Sequence, residues 1–137
     1  MTESSGSRRV ETGLARFTLV SLAVTFPAET WVSLPYGLSH PFYLVDLIAM
    51  ILLFWGAWRS LRARPRSSPA ILCAAYGWAA SNGWRATFGR ISALAEGEAL
   101  DHGPAEAWVV GAASAIALGS FVLSLVLVVR RAAPSGD

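Results

Sequence analysis

Long apolar stretches separated by short polar connections dominate this chain. A helix needs about 20 residues to cross the roughly 30 Å hydrocarbon core of a bilayer, and four stretches reach about that length. We predict membrane spans over approximately residues 17–36, 41–58, 69–88 and 107–129. The last is the clearest, since it carries no charge from Trp108 to Val129. The pattern therefore predicts an all-α fold, an integral membrane four-helix bundle over residues 17–129.

The composition supports a membrane protein. The 137 residues are 54% hydrophobic and 15% charged, with a mean hydropathy of +0.48, which is too apolar for a soluble domain of this size. We therefore expect a multi-pass protein of the cell (inner) membrane, in contact with the lipid bilayer. All 11 basic residues are arginines in short clusters between the apolar stretches. A continuous basic face for nucleic acid is therefore not expected.

The arginines also predict an orientation. Nine of them lie before the first span, between the second and third, or after the fourth: Arg8, Arg9, Arg16, Arg59, Arg62, Arg64, Arg66, Arg130 and Arg131. Only Arg85 and Arg90 lie toward the other side. Because short arginine-rich loops stay on the cytoplasmic side, both termini are predicted to be cytoplasmic. Residues 1–16 then form a disordered cytoplasmic tail, and residues 130–137 form a second cytoplasmic tail.

The first span has a second interpretation. Basic residues precede an apolar stretch of signal-peptide length, so a cleaved signal peptide is the alternative. Cleavage after Ala28 would place Phe26 where such sites require a small side chain. The sequence therefore favours a retained span.

Three ionisable residues interrupt the predicted spans. Glu29, Asp46 and Arg85 belong to the first, second and third spans, respectively. Ionisable groups in membrane helices are energetically costly. They therefore usually face the interior of the helix bundle and are paired with one another. At 1.5 Å per residue, all three come to a similar depth near the outer boundary. We predict that the Arg85 guanidinium lies between the two carboxylates, an arrangement that its planar fork suits.

Further polar and aromatic residues extend this predicted cluster into a pocket. Asn82 shares a helix face with Arg85, and Tyr43, Trp78 and Trp84 are candidate aromatic walls. Pro27 should disturb the first helix next to the acid, because proline has no N–H to donate. One interpretation is a ligand-binding pocket in the outer leaflet. The other is an ion-pair network that only orients three helices.

Small residues at helical spacing are candidates for close helix packing. Gly111, Ala115 and Gly119 form such a face on the fourth span, and Gly77 belongs to one with Cys73 on the third. We expect packing within one chain, with self-association as the alternative. Cys73 is the single cysteine, which excludes an intramolecular disulfide.

Metal and cofactor chemistry have no support in the sequence. His40 and His102 both lie outside the predicted spans, and their spacing to other ligand types matches no metal site. We therefore predict neither a metal site nor a cofactor.

Three functions are compatible with these features. The preferred hypothesis is a small binding or accessory protein whose outer-leaflet pocket takes a lipid-soluble ligand or docks a larger membrane complex. The second is a proton-linked transporter of small molecules. It would have to act as an oligomer, because the four helices of one chain are too few to enclose a transport pathway. The third is an intramembrane lipid isomerase or cyclase that uses a carboxylate as general acid or base.

Overall fold

The computed structural model describes residues 5–34, 37, 39–62, 69–101 and 103–132. This part of the chain is all-helical, without strands. It contains four helices: α1 (Ser5–Ser33), α2 (Pro41–Leu61), α3 (Ala70–Ala95) and α4 (Ala105–Ala132). Tyr36, Arg64, Arg66, His102 and residues 133–137 of the predicted tail lie outside the described residues.

Two helices extend well beyond the predicted spans. Helix α1 begins at Ser5, so residues 5–16 are helical where the sequence predicted a disordered tail. The physical reason is packing, since Leu14 and Ala15 are buried against the other helices. Helix α3 continues to Ala95. Gly97 follows just after its C-terminus with a φ of +81°, a conformation that favours glycine and stops the helix.

The helices run alternately up and down and pack mainly against their neighbours in sequence. Helix α3 packs most extensively against α4, whereas α1 meets α4 at few positions. We call the end that holds the start of α1 and the finish of α4 the terminal end, and the opposite one the distal end. The main apolar core lies toward the terminal end: Leu14, Ala15, Ala57, Leu72 and Tyr76.

Polar contacts join the helices around this core. The hydroxyl groups of Thr18 and Tyr76 share a hydrogen bond of 2.6 Å between α1 and α3. Thr18 also donates to the carbonyl of Leu14 at 2.8 Å. At the terminal end, the Glu11 carboxylate pairs with the Arg131 guanidinium of α4. Buried polar groups of this kind fix the register of adjacent helices because an unpaired group would be costly.

The closest approaches between helices occur at Gly56 and Gly83. A Cβ atom at Gly56 would lie 2.8 Å from the Leu72 Cα of α3, and one at Gly83 would lie 2.6 Å from the Ser114 Oγ of α4. Neither glycine belongs to the predicted packing faces. At Gly56 a side chain would require the helices to shift, since real Cβ atoms essentially never come this close to backbone atoms, whereas at Gly83 the Ser114 hydroxyl would have to move.

The predicted packing residues are divided between contact and open surface. Gly77 lies beneath the ring of Phe121, which is 3.1 Å from the position of a Cβ, and Gly111 lies near Thr87. Ala115 is exposed, and Gly119 has no neighbouring atom within 4 Å of a Cβ. These two residues therefore face away from α3, because Ser114 and Phe121 occupy the α4 surface that meets it.

Two helices are long and apolar enough, by length and composition, to cross a membrane: Tyr43–Leu61 within α2 and Ala105–Ala132. Helices α1 and α3 contain 29 and 26 residues. At 1.5 Å per residue, they extend over about 44 and 39 Å. Their length is thus sufficient, whereas their polar interruptions lower the hydropathy of any window along them.

Candidate functional site

Each of the four helices contributes one charged side chain to a cluster at the distal end. These residues are Glu29 of α1, Asp46 of α2, Arg90 of α3 and Glu106 of α4. The Glu29 carboxylate interacts electrostatically with both Asp46 and Arg90, and Asp46 also interacts with Arg90. Arg90 Nε donates to Glu106 Oε1 at 2.6 Å. We call these four residues the distal cluster.

The distal cluster is partly accessible. Arg90 and Glu106 have side-chain exposures of 31% and 18%, and Glu29 and Asp46 are half-buried. Arg90 also donates through Nη1 to the carbonyl of Ala86 at 3.2 Å, which fixes its guanidinium against α3. With all four groups ionised, three carboxylates lie within electrostatic range of one guanidinium, and Glu106 is the one that forms an ion pair with it. The cluster then carries an excess negative charge that a polar or cationic group could approach.

A hydrogen bond beside the cluster ties α1 to α2. Tyr43 is buried, and its hydroxyl lies 3.1 Å from Thr30 Oγ1. Thr30 in turn donates to the carbonyl of Phe26 at 2.8 Å. Since Thr30 follows Glu29 directly and Tyr43 lies one turn before Asp46, this bond holds the two acidic helices at a fixed separation. Tyr43 thus lies next to the predicted pair of acids.

The cation beside the two acids is Arg90, where the sequence predicted Arg85. Arg85 is exposed on α3. Five residues along a helix correspond to a rotation of about 140° and an advance of about 7.5 Å, so the two arginines point in different directions. Only the later one reaches the level of Glu29 and Asp46 on the interior side. The structure thus brings Arg90, rather than Arg85, within electrostatic range of Glu29 and Asp46.

The remaining predicted pocket residues of α3 lie apart from the distal cluster. Asn82 is half-buried, but it precedes Arg90 by eight residues, or about 12 Å along the axis. Trp78 and Trp84 are exposed, and Trp84 makes an edge-to-face contact with Phe88 at a centroid distance of 4.9 Å. Both indoles therefore point outward, because the inward face of α3 packs against α2 and α4.

An apolar groove begins within one helical turn of Glu29 and Asp46, on the side toward the terminal end. It lies between α1 and α2 and has a volume of about 520 Å³. Its walls are Leu19, Leu22, Ala23, Phe26, Leu47, Met50, Ile51 and Phe54. Phe26 lies three residues before Glu29, and Leu47 follows Asp46, so the groove continues toward the terminal end from the distal cluster. We call this feature the α1–α2 groove.

Pro27 supplies the groove with a backbone acceptor. It lies inside α1 without ending the helix. Proline has no N–H, so the carbonyl four residues earlier, that of Ala23, lacks its usual helical donor. Because Ala23 lines the groove, this apolar surface includes one residue whose carbonyl lacks its usual helical donor.

Sequence reasoning missed Arg90 and Glu106 because both lie just outside the predicted spans. The continued helical character of residues 91–95 was a signal that α3 extends past residue 88. An acid in the first turn of a helix is likewise favourable, which marked Glu106. Within the described residues, no three histidine, cysteine or acidic side chains come together as a metal-binding group.

Comparisons with known proteins give no relative for this chain. No protein-family model, no curated protein and no solved structure matches it.

Proposed function

We propose that this chain is a small multi-pass membrane protein that binds a lipid-soluble ligand in the α1–α2 groove. The ligand's polar end lies at the distal cluster. All four helices cross the cell (inner) membrane in this proposal, with both termini in the cytoplasm. The observation that carries the proposal is an apolar groove whose walls include Phe26 and Leu47, which lie within one helical turn of Glu29 and Asp46.

Apolar surface supports the membrane location. Trp108 and Trp31 are 82% and 77% exposed, and large exposed hydrophobic residues occur on every helix. Soluble monomers rarely expose apolar surface of this extent, because water disfavours it. A bilayer would cover it without a further protein partner.

Size and chemistry support the ligand. Ligand pockets commonly have volumes of about 300 to 1,000 Å³ and combine apolar walls with a few polar groups. The α1–α2 groove of about 520 Å³ falls within this range. The polar groups considered for the ligand are the Ala23 carbonyl on the groove wall and the carboxylates of Glu29 and Asp46 within about one turn of the groove. All of them are hydrogen-bond acceptors when the acids are ionised. They favour a ligand whose polar end donates hydrogen bonds.

Mass spectrometry of small molecules retained after mild detergent purification tests the proposal. The wild-type chain should retain a lipid-soluble compound that Ala23→Phe, which fills the groove, no longer holds. Ala28→Phe is the matched control, since Ala28 is also exposed on α1 but does not line the groove. Equal retention by both variants and the wild type would contradict the proposal.

A further inference from the structure

A second concave surface lies on α1 at the terminal end. It has a volume of about 450 Å³ and is lined by Arg8, Arg9, Thr12, Gly13 and Arg16. At 100° per residue, these side chains occupy an arc of about 140° on one helix face. The buried residues Glu11, Leu14 and Thr18 lie on the other side of the helix. We call this surface the basic pocket.

Within the described residues of α1, no acid lines the basic pocket. Glu11 is the only acid between residues 8 and 16. Its side chain is 3% exposed and pairs with Arg131 on the inward side. Arg8, Arg9 and Arg16 are exposed. Three positive charges therefore face one concave surface, and Gly13, at one edge of its arc, leaves open space, since no atom lies within 4 Å of a Cβ there.

An apolar stripe continues from the basic pocket along the same helix face. Val20 and Val24 lie one and two turns beyond Arg16, and both are exposed. This face is thus basic over its first turns and apolar over the next two. A phospholipid with an anionic headgroup has the complementary order, phosphate first and acyl chain next.

We propose that the basic pocket binds the headgroup of an anionic phospholipid in the leaflet at the terminal end, with an acyl chain along Val20 and Val24. Arginine suits this role because its planar guanidinium can bind phosphate oxygens in pairs. Thr12 adds a hydroxyl donor, and Gly13 leaves room for the headgroup. The site is separate from the α1–α2 groove, so either one can fail without the other.

Native mass spectrometry of the full chain, in an uncharged detergent with added phosphatidylglycerol or phosphatidylcholine, tests this proposal. Each basic residue near an anionic lipid surface contributes about 1 kcal/mol, or about fivefold in affinity. The Arg9→Gln/Arg16→Gln variant should therefore bind phosphatidylglycerol at least tenfold more weakly than the wild type. Phosphatidylcholine should bind more weakly to the wild type and respond little to the substitutions.

The matched control is Arg59→Gln/Arg130→Gln, which removes two exposed arginines from the same end outside the pocket. The affinity of this control variant for phosphatidylglycerol should stay within about twofold of the wild-type affinity. Equal losses in the two double variants would show general charge attraction and overturn the site.

Two further measurements keep the test decisive. If the arginine variant does not fold, Gly13→Leu fills the open space at Gly13 without changing charge and should weaken phosphatidylglycerol binding alone. Unchanged binding in that variant would overturn the site. Glycerol phosphate, which has no acyl chain, should not displace the lipid at equal concentration, and full displacement would show a site for free phosphate instead.

Discussion

The carboxylate of Glu11 pairs with the guanidinium of Arg131, 120 residues later in the chain. This ion pair joins the first helix to the last at the terminal end, where α1 and α4 otherwise meet at few positions. The carboxylate is almost fully buried, and its Oε1 has no hydrogen-bond partner among the described residues. The pair is therefore a polar contact that joins α1 to α4 at this end.

Arg131→Gln should destabilise the protein because it leaves the Glu11 carboxylate buried without its cation. Loss of one partner of a buried ion pair commonly costs about 3 kcal/mol or more. Thermal unfolding in detergent measures the effect. The adjacent Arg130→Gln is the control, since Arg130 is exposed and should change the midpoint little. Glu11→Gln/Arg131→Gln should be more stable than Arg131→Gln alone, and a lower midpoint in the double variant would contradict the buried pair.

Gly56→Ala should also destabilise the protein. Its new Cβ would meet the Leu72 backbone at 2.8 Å, so α2 and α3 would have to separate. Overpacking of this kind costs about 1 to 3 kcal/mol. Gly119→Ala is the matched control, because nothing lies within 4 Å of its Cβ and alanine favours the helix by up to about 1 kcal/mol. Thermal midpoints that fall equally in both variants would argue against a specific close approach at Gly56.

The helices themselves were predictable from hydropathy, whereas their ends were not. Spans were placed where apolar residues run without interruption, so the polar turns of α1 before Phe17 were excluded. Those turns are amphipathic, since Glu11 and Leu14 point inward while Arg9 and Arg16 point outward. Burial of one face, which no hydropathy window detects, is what makes them helical.

The candidate site was partly predictable for a related reason. The depth argument brought Glu29 and Asp46 to one level, and the structure places their charges in mutual range. The cation required more than depth, because the rotation about the α3 axis separates Arg85 from Arg90 by about 140°. The close helix contacts at Gly56 and Gly83 could not be predicted from the sequence either. A single glycine in a helix gives no pattern from which a contact with another helix can be inferred.

The proposed topology predicts which positions react from outside the cell. With Cys73→Ala as background, Glu98→Cys in the α3–α4 connection should react with a membrane-impermeant thiol reagent in intact cells. Ala132→Cys at the terminal end should react only after lysis, because the arginine-rich side is cytoplasmic. Both positions are exposed, so access within the protein is matched. Labelling of Ala132→Cys but not Glu98→Cys in intact cells would show that the orientation is the opposite of the proposed one.

The distal cluster predicts a difference between two arginines on the same helix. Arg90→Gln leaves Glu29, Asp46 and Glu106 without their shared cation, whereas Arg85→Gln removes an exposed charge. Since the cluster is partly accessible, we expect Arg90→Gln to lower stability by about 1 to 2 kcal/mol and Arg85→Gln by much less. Adding Glu29→Gln and Asp46→Asn to Arg90→Gln should restore part of the thermal midpoint, because two of the unpaired carboxylates are then gone. Strictly additive losses would show that these side chains do not interact.

The amount of ligand retained by the same variants distinguishes a structural role of the distal cluster from a binding role. If the cluster is only structural, the triple variant, which regains stability, should still retain the ligand. If the cluster binds the ligand, the triple variant should lose it.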